Sequence, residues 1–153
     1  MKRIKALILI AILTVMPVTN SYAQIKKVAN IEKVKSFTYG SVVLNKTTID
    51  SVAIYSVTLE NNSSIHESIV LFLGNRDDML KNLHDFSETL KNGKKGDVFD
   101  FTAAGTEYNL SYDKVLGQVC FKVSTPHSTS SDFGRLLKKT IDDIIKFMEK
   151  KEN

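Results

Sequence analysis

The sequence predicts an α+β fold, in which two helices pack on one face of a two-layer antiparallel sheet. Residues 36–73 and 97–124 carry the alternating or continuous apolar runs that are typical of strands. Each run is followed by a segment with apolar residues at helical spacing. The order is therefore βββα-βββα, and the likeness of the two halves fits either an ancient duplication or coincidence.

The N-terminus has the pattern of a secretory signal peptide. Lys2, Arg3 and Lys5 precede the apolar run 6–16, which is about 11 residues long and too short for the roughly 20 residues that span a bilayer. Ser21 and Ala23 are small residues at positions −3 and −1 of a cleavage site before Gln24. We therefore expect cleavage after Ala23, a periplasmic or extracellular location and no membrane span in the mature chain.

Charge and size limit what the mature chain can be. Removing residues 1–23 takes away three basic and no acidic residues, which leaves 18 basic and 17 acidic side chains and a net charge of +1. A near-neutral surface gives no electrostatic basis for binding nucleic acid. We expect a basic lead-in, 24–35, to form a short helix or a mobile segment, and one domain to span 36–153.

The first half is predicted to contain three strands and a helix. A strand over 36–44 bends at Gly40, a turn follows at 45–47, and strands over 51–60 and 66–74 flank a second turn. Asn75 is the expected N-cap and Gly93 the expected stop of the first helix. Its apolar stripe is Met79, Leu80, Leu83, Phe86 and Leu90.

The second half repeats this layout with a cleaner alternation. Its strands are predicted in the segments DVFDFTA, EYNLSY and QVCFKVS, joined by turns at 104–106 and 113–117. The final helix is expected to begin at a cap among residues 130–132. Its apolar face is Phe133, Leu136, Leu137, Ile141, Ile144, Ile145 and Met148.

The strands of the first half have apolar residues on both faces, although helices can cover only one of them. The second apolar set is Val42, Leu44, Val52, Ile54, Val70 and Phe72. We interpret this set as an interface patch for a partner or a second copy. The alternative is that residues 24–35 fold over it through Ile25, Val28 and Ile31, or that the sheet curls and buries it.

Few residues have a pattern that predicts catalysis. Cys120, the single cysteine, could be a nucleophile if His127 or a helix N-terminus lowered its pKa. Alternation instead places it on the polar face of its strand, as a plain strand residue or a half of an intermolecular disulfide. Asp97, Asp100 and Glu107 lie on or near one hairpin, and two of these three carboxylates are the alternative candidates for a catalytic acid pair. No spacing of histidines or carboxylates predicts a metal site, and no cofactor motif is present.

The βββα-βββα order is similar in outline to the whirly proteins and related folds that bind single-stranded nucleic acid. The likeness covers most of the mature chain but is confined to layout, because those folds have a fourth strand in each unit and no motif matches. The net charge of +1 argues against the activity that this resemblance implies.

The sequence therefore predicts a small exported, non-catalytic binding domain. Its expected partner is a protein, a surface component or a second copy of the chain through the apolar sheet face. The alternative is a small exported enzyme that uses Cys120 with His127, or the outer-face carboxylates.

Overall fold

The computed structural model describes residues 29–38, 41–63, 68–129 and 131–151, so the predicted signal peptide lies outside the described residues. Two helices and eight strands make up the described chain. In chain order they are β1 (Ala29–Phe37), β2 (Val42–Ile49), β3 (Val52–Glu60), β4 (Ser68–Gly74), α1 (Arg76–Asn92), β5 (Val98–Ala103), β6 (Thr106–Val115), β7 (Gln118–Ser124), β8 (Gly134–Leu137) and α2 (Lys138–Lys150).

The strands form two antiparallel sheets, which confirms the predicted α+β class. The first sheet has the order β1-β2-β3-β4 and the second the order β5-β6-β7-β8. The helices contact each other, and each contacts both sheets: α1 lies against β3, β4 and β7, and α2 against β1, β7 and β8. Each sheet therefore has an inner face toward the helices and an outer face away from them.

The predicted start of α1 and the three-stranded meander are confirmed. The Asn75 side chain accepts a hydrogen bond from the backbone N–H of Asp78 at 3.0 Å, and Gly93 follows the last turn. On the buried face, the Phe86 ring meets the Phe101 and Phe121 rings edge to face, at 4.9 Å and 5.7 Å between centroids. These ring contacts attach the helix of the first half to the sheet of the second.

The predicted lead-in is wrong for residues 29–35, which belong to strand β1 rather than to a helix or a mobile segment. Its pairing with β2 shifts at Val34, between Lys33 and Lys35, as at a β-bulge. A bulge inserts one residue and reverses the side-chain parity beyond it. The alternation that marks a strand is therefore interrupted in the sequence, and the remaining spacing of three resembles a weak helix.

The predicted turn at 45–47 is also wrong, because these residues lie inside β2. The chain instead reverses at Asp50 and Ser51, whose φ angles of 46° and 70° are both left-handed. Two left-handed residues form the hairpin turn that suits the twist of the flanking strands. An Asp-Ser pair is a weaker signal for that turn than one containing glycine.

The sequence predicts Val42 and Leu44 in the second apolar set, on the outer face of the sheet, and this prediction is wrong. Val42 is 3% exposed and Leu44 fully buried, opposite Leu59 and Val57 of β3 on the inner face. Continuous alternation was assumed through Gly40, but β1 ends at Phe37 and the chain turns before β2. The turn resets the parity, so Phe37 and Val42 face each other and both point inward.

The last helix begins later than predicted. Residues 134–137 form β8, and α2 starts at Lys138 without a side-chain cap. Leu136 and Leu137 fit both a helical and a strand spacing. These residues form a strand because β8 pairs with residues 120–123 of β7. Together, β1 and β8 give each half a fourth strand, so the layout is ββββα twice.

The two sheets meet where β3 ends and β8 begins. The backbone N–H of Asn62 donates to the carbonyl of Phe133 at 2.9 Å, and Asn61 forms a bridge with Gly134. Gly134 lies so close to Leu59 that an added Cβ atom would stand 2.5 Å from the Leu59 Cβ. Within the described ranges, no helix is long and apolar enough to cross a membrane.

Candidate binding surfaces

The outer face of the first sheet is defined by the register of its four strands. Its residues are Ala29, Ile31, Lys33, Ser36, Val43, Asn45, Thr47, Ile49, Val52, Ile54, Ser56, Thr58, Glu60, Ser68, Val70 and Phe72. Lys33 and Glu60 are the only charged members. Ile31, Thr47 and Ile54 lie side by side across three strands, and Ile49 stands opposite Val52.

Several apolar members of this face are in contact with solvent. Ile31 is 73% exposed, Val52 58% and Val70 40%, while Ile54 and Phe72 are half-buried. Val52, Ile54, Val70 and Phe72 thus lie where the sequence predicted them. The sequence analysis missed Ile31 as a member, because it assigned that residue to a segment that covers the sheet.

The segment that was predicted to cover this face extends the sheet instead. Residues 29–35 lie beside β2 as an edge strand, and they bring Ile31 to the same face instead of covering it. Ile25 and Val28, the other two residues of the predicted cover, lie outside the described residues. The face on the described chain is therefore four strands wide.

The structure does not bring Cys120 and His127 together. Cys120 has no exposed surface, and its neighbours across the strands are Asp113 and Leu137. His127 is exposed, in the loop beyond Ser124, and β7 rises about 13 Å from Cys120 to Ser124. Burial raises the pKa of the Cys120 thiol, and the negative charge of Asp113 raises it further. A nucleophilic thiol requires the opposite shift.

The candidate carboxylates are separated into two environments. Asp97 lies in the loop before β5, where its Oδ2 accepts a hydrogen bond from the backbone N–H of Lys94 at 2.8 Å. Asp100 and Glu107 are exposed on the outer face of the second sheet, on diagonal positions of one hairpin. Both line a shallow cavity of about 360 Å³, together with Asn109 and Pro126. The bond to Lys94 shows that Asp97 helps to hold its loop.

A second cavity, here called the edge cavity, lies beside β4 and has a volume of about 380 Å³. Ile69, Val70 and Phe72 form its apolar wall, and Tyr108, His127 and Asp132 are among its polar residues. This cavity was not predicted from the sequence, where Asp132 was interpreted only as a candidate helix cap. No local signal could have shown it, because its walls come from four separate segments.

Metal-binding geometry is not found in the described chain, where no group of three or more histidine, cysteine or carboxylate side chains could hold an ion. Comparisons with family models, with curated proteins and with solved structures find no match to this chain. The outer face of the first sheet and the cavities are therefore the features from which a function can be inferred.

Proposed function

We propose that this protein is a small exported binding domain without catalytic activity, which acts through the outer face of its first sheet. The observation that supports the proposal is the exposed apolar surface of that face, where Ile31, Val52 and Val70 contact solvent. Exposed apolar residues are ordinary when scattered, but these three share one sheet face with Ile49, Ile54 and Phe72. Export is supported by the signal-like pattern of residues 1–23.

We further propose that the partner is a second copy of the chain, joined face to face. One lysine and one glutamate leave the outer face of the first sheet without net charge, so two copies do not repel each other. Four strands of about eight residues measure about 20 Å by 27 Å. With the relief of the side chains, this approaches the roughly 800 Å² that each partner contributes to a standard interface.

The first prediction tests this interface with two matched valines. Val52 is 58% exposed on the outer face of the first sheet, and Val98 is 60% exposed on β5 of the second. Val52→Lys should weaken self-association at least about tenfold, because the ammonium group would lose water at the interface. Val98→Lys should leave it unchanged. Sedimentation equilibrium of the mature chain measures both.

The result has clear contrary outcomes. A wild-type mass equal to one chain at all accessible concentrations contradicts the second-copy partner. A dimer that both lysine variants weaken equally contradicts the assignment of the interface to the first sheet. Because both valines are exposed and both lie in strands, their effects on folding stability should be similar, within about 0.5 kcal/mol.

A further inference from the structure

The edge cavity has one rigid apolar wall. The hydroxyl of Tyr108 donates a hydrogen bond to the carbonyl of Val70 at 3.0 Å and accepts one from the backbone N–H of Phe72 at 3.1 Å. These two bonds fix the Tyr108 ring against the edge strand β4, and Tyr108 is 1% exposed. The side chains of Val70 and Phe72 line the cavity from the same strand. The wall therefore does not have to order itself when a ligand enters.

The polar end of the edge cavity contains a fixed carboxylate. Asp132 accepts hydrogen bonds from the hydroxyls of Ser63 and Thr129, the latter at 2.6 Å. These bonds lower the pKa of Asp132, so its carboxyl group is ionised at neutral pH. Hydrogen bonds from the backbone of Thr129 and the side chain of Asn61 also lower the pKa of Asp132, so the carboxylate attracts a ligand mainly through its negative charge.

The charges around the edge cavity favour one class of ligand. Among the described residues that line it there is no lysine or arginine; His127 is the one histidine and Asp132 the one carboxylate. The half-buried Phe72 also belongs to the lining, while Tyr108, another lining residue, is 1% exposed and its ring stacks on Phe101. A carboxylate attracts a cation, aromatic faces favour a nearby ammonium group, and the apolar wall accepts a hydrocarbon body. A volume of about 380 Å³ is within the range of small-molecule sites.

We propose that the edge cavity is a binding site for a small organic cation, an ammonium group carried on a short apolar body. The ammonium group donates hydrogen bonds to the carboxylate of Asp132, and the apolar body packs against Val70 and Phe72. Val70 and Phe72 also belong to the outer face of the first sheet, so the edge cavity borders the proposed self-association surface, whereas Val52 lies beyond the end of β4 in the strand register and does not line the cavity.

A series of three probes of one size and different charge tests the proposal. Benzylammonium, benzyl alcohol and benzoate are each titrated into the mature protein and followed by NMR chemical shifts. Benzylammonium should bind at least about tenfold more tightly than benzyl alcohol, with saturating shifts at Val70 and Phe72, and benzoate should bind most weakly. Equal affinities for the three probes, or the absence of saturating shifts with benzylammonium, would overturn the proposal.

Two variants locate the charge preference. Asp132→Asn should reduce the affinity for benzylammonium to that for benzyl alcohol, and the binding of benzyl alcohol shows that the cavity is still formed. Asp100→Asn, on the outer face of the second sheet, should change neither affinity. Val52→Lys should not weaken probe binding, because Val52 does not line the cavity and a weaker association leaves Val70 and Phe72 free of the second copy. A charge preference that persists in Asp132→Asn would also overturn the proposal.

Discussion

The two sheets have the same topology, but their outer faces differ in chemistry. The outer face of the first sheet carries aliphatic side chains and only two charges, whereas that of the second contains Asp100, Glu107, Asp113, Lys122 and Arg135. Both inner faces contribute to one apolar core with α1 and α2. Because the core constrains only the inner faces, the difference between the outer faces is not required by the fold. This difference is why the proposed interface lies on the first sheet.

The two sheets share one core and should unfold together. Among the variants considered, Gly134→Ala should weaken the contact between them most. The new methyl group would overlap the Leu59 Cβ atom, which cannot rotate away. We expect a loss of about 2–3 kcal/mol in the free energy of unfolding, measured by urea denaturation. Gly117→Ala is the control, since its site is uncrowded and only its φ of 81° opposes a side chain, at about 1 kcal/mol. Equal losses in the two variants would contradict the close contact.

A second contact between the sheets is the hydroxyl of Tyr108, which bonds to β4. Tyr108→Phe would leave the carbonyl of Val70 and the N–H of Phe72 without these bonds, at a cost of about 2 kcal/mol in the free energy of unfolding. Tyr112→Phe is the matched control, because the hydroxyl of Tyr112 bonds to none of the described residues. Its effect should stay within about 0.5 kcal/mol. A silent Tyr108→Phe would show that β4 does not depend on the second sheet.

The stability that the contact between the two helices contributes should depend on pH. Asp142 of α2 accepts hydrogen bonds from Ser87 of α1 at 2.6 Å and from Lys138 at 2.8 Å. Burial alone would raise the pKa of Asp142, but the bonds from Lys138 and Ser87 and the charge of Lys138 outweigh burial and lower it below the ordinary 3.8. The resulting stability is present above pH 3.8 and is lost as the pH falls through the lower folded pKa.

Asp142→Asn should therefore reduce stability at pH 6 by about 0.5–1 kcal/mol, the scale of a partly exposed charge-assisted pair. The difference from the wild type should disappear near pH 2, where the carboxyl group is protonated in both folded and unfolded chains. Urea denaturation at the two pH values measures it. Asp143→Asn, at an exposed neighbouring position, is the control for the change in net charge. A difference that is independent of pH would contradict the linkage.

The last prediction concerns the thiol of the second sheet, where reductant should have no effect on the native protein. Because Cys120 is fully buried, a thiol reagent should label the native protein at least about a hundredfold more slowly than the urea-unfolded chain. Reductant should leave the mass of the native protein unchanged. Rapid native labelling, or a dimer that reductant dissociates, would show that the outer face of the second sheet opens as well.

The sequence predicted the parts of the fold that depend on local signals. The helix cap at Asn75, the helix stop at Gly93 and the alternation of β5 to β7 each depend on a short stretch of sequence. All three features were predicted correctly. Strand β1 was missed because the bulge at Val34 disturbs its alternation, and β8 because pairing with β7 overrides a helical spacing. Val42 and Leu44 were assigned to the wrong face for a related reason, since the unrecognised turn before β2 inverts the parity of the residues that follow it in that strand.

The candidate surfaces were predictable to different degrees. Four residues of the apolar patch followed from parity within each strand, because the shift in the pairing of β3 with β4, at Leu73, lies outside residues 52–54 and 68–72. The edge cavity needed knowledge of which segments meet, because Asp132, Tyr108 and Phe72 are far apart in the chain. Pairing across such distances is set by the packing of the whole chain, which single-strand patterns do not contain.

The hydroxyl of Tyr108 also has a consequence for the order in which the chain can fold. The free edge of β4 obtains its partner from a residue 36 to 38 positions later, and the end of β3 obtains its partner from Phe133 and Gly134. During synthesis, the first four strands and α1 therefore emerge with an unfinished edge. These contacts of the first half cannot form before the chain has been synthesised as far as Gly134, so the first half completes its folding only together with the second.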